Sequence, residues 1–77
     1  MLINSKTNPS LEAEITDSDH FRIRFTASSD QEITEDDACD AQAALGKHPG
    51  GYGIYDLVCR KVDNVYVAHW NCGASCD

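Results

Sequence analysis

Positive charge is what this chain has least of. Six Lys and Arg stand against thirteen Asp and Glu, leaving a formal charge of -7 at pH 7 over 77 residues. A basic footprint on nucleic acid, or on an anionic bilayer, is excluded by that balance. Long apolar runs are also missing. The start, Met1-Leu2-Ile3-Asn4, turns polar at once, and no later stretch reaches the ~20 residues a membrane helix needs. We therefore expect no signal peptide and a cytoplasmic location. Catalytic signatures are absent as well: there is no G-x-S-x-G, no P-loop and no dinucleotide fingerprint. Gly50-Gly51-Tyr52-Gly53 has neither the lysine nor the following helix of a phosphate cradle. An enzyme is not expected.

The four cysteines, Cys39, Cys59, Cys72 and Cys76, contain no C-x2-C. Zinc through His69, Cys72, Cys76 and Cys59 would need a spacing the chain does not supply, and the D-x-D-x-D-G calcium loop is missing. In a reducing compartment the cysteines read as thiols, with a Cys72–Cys76 or Cys39–Cys76 disulfide open to an oxidised sample. No metal or other cofactor is expected.

What is present is a regular pattern of alternation and caps. Residues 1–9 read as an irregular arm, and 10–77 as a single domain. Leu11, Ala13 and Ile15 alternate with Glu12 and Glu14; a turn is expected at Thr16-Asp17-Ser18-Asp19. Phe21, Ile23, Phe25 and Ala27 then alternate with Arg22, Arg24 and Thr26. This is a hairpin with one buried face, its glutamates and arginines sharing the other. Thr34 with Asp37 three residues on is a capping box, with Ile33 placed to staple onto Ala38. The helix so started turns Ala38, Ala41 and Leu45 inward, and Gly46 ends it, with Lys47 and His48 suiting the negative end of its dipole. After the turn at 49–53, a second hairpin runs through Ile54–Val62 and from Val65 to about Cys72, turning at Asp63-Asn64. In a two-residue turn Lys61, Cys59 and Leu57 oppose Tyr66, Ala68 and Trp70. Tyr55, Leu57, Cys59, Tyr66, Ala68, Trp70 and Cys72 then share the core face, while Ile54, Val58, Val62, Val65 and Val67 form a second apolar face. The expected architecture is α+β: ββαββ, one antiparallel sheet with one helix packed across it.

The densest feature is acidic. Asp30, Glu32, Glu35, Asp36, Asp37 and Asp40 fall within eleven residues, and no Lys or Arg occurs between Phe25 and Gly46. On a helix, Glu35 to Asp40 rises about 7.5 Å, so four carboxylates give on the order of one charge per 2 Å, close to the roughly 1.7 Å per charge of duplex DNA. Acids in a first helical turn also stabilise the dipole by about 0.3–1 kcal/mol each, which accounts for Glu35, Asp36 and Asp37. It leaves Asp30, Glu32 and Asp40 unexplained. These six are the candidate partner-binding residues, and the expected partner is a basic groove on a host protein or nucleoprotein complex, with no direct contact to nucleic acid. The aromatics Tyr52, Tyr55, Tyr66 and Trp70 are read as packing groups, not base-stacking platforms.

Two resemblances bear on function. Lys47-His48-Pro49-Gly50-Gly51-Tyr52-Gly53-Ile54-Tyr55 and His69-Trp70-Asn71-Cys72-Gly73-Ala74-Ser75-Cys76-Asp77 resemble short phage and prophage proteins that share an H-P-x-G-Y-G turn and a W-x-C-x-x-S-C-D ending. In size, acidity and ββαββ order the chain also resembles small phage-encoded anti-CRISPR proteins. That likeness implies an inhibitor without cofactor, one that blocks target DNA at an RNA-guided effector complex. The alternative expectation is a structural or accessory subunit of a phage or bacterial assembly, joined through the valine face.

Overall fold

A computed structural model of the chain describes residues 1–18, 22–46 and 54–73. Its elements are β1 (Glu12–Ser18), β2 (Arg22–Ser29), α1 (Glu35–Ala44), β3 (Ile54–Val62) and β4 (Val65–Gly73). The four strands form one antiparallel sheet in the order β1-β2-β4-β3, so the two hairpins meet through β2 and β4, and the chain crosses from one to the other by way of the helix. This is the α+β architecture expected. Asp19 of the expected turn, Phe21 of the expected second strand, the expected turn at 49–53 with Lys47 and His48, and Cys76 lie outside the described residues.

The core is the layer between helix and sheet. Phe25 and Trp70, cross-strand partners on β2 and β4, are fully buried and stacked with ring centroids 5.4 Å apart. Ala38 and Ala41 bring the helix backbone close to them, and Ile33 before the cap is buried beside it. Trp70 Nε1 donates to Gln42 Oε1 at 2.9 Å, satisfying the indole from the helix. At the far end, Leu45 is the C-cap. Gly46 follows with φ +78 and donates to Ala43 O, one bond of a Schellman ending. No helix among the described residues is long and apolar enough to cross a membrane.

Three details depart from the expected pattern. First, β1 does not turn at 16–19 but continues to Ser18, with a bulge between Ile15 and Asp17 that brings Asp17 opposite Arg24. Second, β3 carries a bulge between Tyr55 and Val58, where Asp56 adopts φ 57. The Lys61–Tyr66 and Cys59–Ala68 pairs stand as expected, but beyond the bulge the faces exchange. Ile54 packs against the core and Tyr55 is exposed. An extra residue in a strand of period two must invert everything beyond it.

Third, residues 1–9, which hold one isolated bridge and no strand or helix, pack onto the domain. Ala13 N donates to Met1 O and Ile3 N to Leu11 O, and Leu2 bridges Glu12, so the chain start pairs along the outer edge of β1. Ile3, Ser5 and Asn8 are buried. The pairing covers the beginning of an edge, at 11–13, whose N–H and C=O groups would otherwise be open to another chain.

Candidate acidic surface at the helix N-terminus

Thr34 begins the helix as the sequence requires. Its hydroxyl accepts from Asp37 N at 3.2 Å, and Asp37 Oδ2 accepts from Thr34 N at 3.0 Å. Two donors that would otherwise be unmet are satisfied reciprocally. The same carboxylate is also the anchor of the N-terminal segment: Thr7 Oγ1 donates to Asp37 Oδ1 at 3.0 Å and Asn8 Nδ2 to Oδ2 at 3.3 Å. Asp37 is 2% exposed. It therefore leaves the set of residues expected to face a partner. Its position, one turn before Ala41 on the inward stripe, turns it to the protein, where neutral donors surround its charge.

The other five acids are exposed. Asp40 Oδ2 accepts from Ser5 Oγ at 3.2 Å, and Asp30 Oδ1 from Ser10 Oγ, whose oxygen in turn accepts from Asp30 N at 3.1 Å. The N-terminal segment thus lines the acidic stretch with Ser5, Thr7, Asn8 and Ser10. All four offer neutral donors, which orient carboxylates without cancelling their charge. Among the described residues no Lys or Arg forms an ion pair with any of the six, although Lys6 lines a shallow pocket together with Asp40; Arg22 and Asp17 pair at 3.9 Å, elsewhere and solvent-exposed.

Glu35, Asp36 and Asp40 converge around Cys39. Burial raises that thiol's pKa above its ordinary value, and the neighbouring charges of Glu35, Asp36 and Asp40 raise it further. The three carboxylates thus act together on this side of the helix, adding to the effect of burial. Glu32 is exposed in the connection ahead of the helix, and Asp30 sits beyond it, tied to Ser10. The arrangement holds a close group of three, Glu35, Asp36 and Asp40, with Asp30 and Glu32 placed by the preceding connection.

The serine, threonine and asparagine of the N-terminal segment escape sequence reasoning, because polar residues in an apparently irregular stretch carry no periodic signal of what they will meet some thirty residues later. Cys39 and Cys59 are free thiols, and among the described residues no group of three or more His, Cys, Asp or Glu side chains is placed to hold a metal ion. No protein-family model, curated protein or solved structure matches the chain.

Proposed function

We propose that the protein is a non-enzymatic acidic inhibitor that occupies a basic, nucleic-acid-binding surface of a host complex. The anti-CRISPR type, which blocks target DNA at an effector complex, is our reading of its identity. One observation carries this: Glu35, Asp36 and Asp40, with Glu32 and Asp30 nearby, form an exposed carboxylate surface on which, among the described residues, no Lys or Arg closes an ion pair, Lys6 beside Asp40 being the one nearby cation. Such a surface steers association with a cationic groove and stands where phosphates would lie, while neighbouring contacts provide specificity. The rigid backing from Ser5 and Ser10 supports the reading, because pre-oriented charges lose less entropy on binding.

The test is charge reversal that spares the fold: Glu35→Lys, Asp36→Lys and Asp40→Lys together, with Asp37 left intact. Target-DNA gel shifts with a purified CRISPR effector complex, run at low and high salt, read the effect. Wild type should displace DNA more weakly as salt rises, and the triple variant should lose at least about tenfold in potency. Undiminished displacement by a folded triple variant refutes DNA competition through this surface. Wild-type protein that displaces nothing refutes the anti-CRISPR reading, and retention of other proteins from a host lysate in a salt-sensitive way would then identify a different basic partner.

A further inference from the structure

The face of the sheet away from the helix carries no described element, and it is unlike the rest of the molecule. Tyr55, Val58 and Val62 on β3 and Val65 at the start of β4 are each exposed by 42–48%. Its charges balance: Glu12, Glu14 and Asp17 on β1 against Arg22 and Arg24 on β2 and Arg60 on β3. The excess that gives the chain its charge of -7 lies elsewhere, mostly on the helix side.

The strand register sorts this face into rows. Glu12, Ser28, Val67 and Arg60 lie in one row; Glu14, Thr26, His69 and Val58 in the next; Asp17, Arg24, Asn71, which is itself buried, and Tyr55 in the third. Every row begins with a carboxylate at β1 and ends at β3 with a cation, an apolar side chain or a phenol. We infer that this face binds a second copy of the chain. The twofold axis runs parallel to the strands, between β2 and β4, so that β1 of one copy covers β3 of the other.

That operation preserves the level along the strands. It sets Glu12 over Arg60 of the second copy, Glu14 over Val58 and Asp17 over Tyr55, each pair occurring twice. A twofold axis lying across the strands would instead stack β1 on β1 and bring three carboxylates against three carboxylates. The charge pattern selects the first arrangement. Face-to-face packing is favoured over edge pairing, since the segment 1–3 pairs with the start of β1 and bulges interrupt both outer strands, between Ile15 and Asp17 and at Asp56. Four strands about 4.8 Å apart and about 24 Å of their length give roughly 450 Å² in plan per copy. Two copies bury roughly 900 Å², near the ~1,000 Å² lower bound of specific interfaces, so the dimer is concentration-dependent. The inference does not rest on the proposed function, because the helix side of each copy faces outward.

Sedimentation equilibrium of the full chain, between about 10 μM and 1 mM at about 0.15 M salt, reads the association. The expected result is a rise from 8.5 kDa toward twice that mass. Glu12→Arg alone and Arg60→Glu alone should each weaken dimerisation at least tenfold, and the two combined should restore it. Both side chains are exposed, and restored dimerisation in the double variant also shows that neither change disrupts folding. Wild type that stays monomeric throughout overturns the inference. So does a dimer indifferent to the single changes, which would point to edge pairing through β3, and so does a double variant no better than the singles.

Discussion

Replacing Asp37 by Ala should be among the most damaging single changes available in this protein, although the residue belongs to an exposed-looking acidic stretch. The substitution removes the acceptor for Thr34 N and with it half of the capping box, a loss of about 1 kcal/mol. It also removes charge-assisted bonds from Thr7 Oγ1 and Asn8 Nδ2, of about 1.5–3 kcal/mol each. Thr7 is exposed and recovers water. Asn8 is fully buried, and an unmet donor there costs about 1–3 kcal/mol. Relief from burying a charge offsets part of the total, leaving a net loss of about 2–4 kcal/mol. A domain of 77 residues has about 4–12 kcal/mol to lose, so the midpoint of thermal unfolding should fall by roughly 10–25 °C. Asp37→Asn should recover little, because all the neighbours donate and an amide turns one of its own donors toward them. Asp36→Ala, on the exposed side of the same turn, should stay within about 0.5 kcal/mol of wild type. Urea unfolding of the three variants decides the matter. If Asp37→Ala and Asp36→Ala unfold at the same midpoint, Asp37 does not clamp the N-terminal segment.

Two further outcomes follow from buried polar groups and from charge. Trp70→Phe strands Gln42 Oε1, whose own Nε2 is already without a partner, and should cost about 2–4 kcal/mol including the smaller ring. Adding Gln42→Leu should return about 1 kcal/mol or more of that, and a double-mutant cycle in urea showing no coupling would contradict the assigned bond. At Cys39, burial and then Glu35, Asp36 and Asp40 disfavour the thiolate, so the pH–rate profile of iodoacetamide alkylation should give a pKa above that of a free cysteine. Asp36→Asn should bring it down and speed alkylation at fixed pH; an ordinary or lowered value in wild type would refute the combined effect of burial and carboxylates described there.

Much of this fold was legible because its signals are local. Thr34 with Asp37, Gly46 and Asp63-Asn64 each act within a few residues of themselves, and they start, stop or turn the chain where the sequence indicated. The bulges were not legible. Asp56 takes a left-handed conformation that neither its identity nor the alternation around it announces, and Tyr55 and Ile54 exchange faces as a result. The adjacency of β2 and β4 was hidden for a different reason: it depends on which exposed edges of two finished hairpins meet, a choice made by tertiary packing. Within the acidic stretch, the mistaken residue carried its own warning. Asp37 lies four positions before Ala41 on the inward stripe, and only a source of donors from outside the helix could let a carboxylate sit there. Thr7 and Asn8 gave no sign that they were that source.

The strand order has a consequence for how the molecule can be watched as it forms. Each hairpin joins near neighbours in the chain, whereas the β2–β4 ladder joins its two halves, and such distant closures are the slow ones. The single tryptophan stands on that seam with its ring against Phe25 from the other half. Its fluorescence is therefore a built-in gauge of the halves uniting, while far-UV circular dichroism follows each hairpin separately. Simultaneous transitions in the two signals mean an all-or-none molecule; a lag of fluorescence behind ellipticity exposes two folded halves that have not yet met.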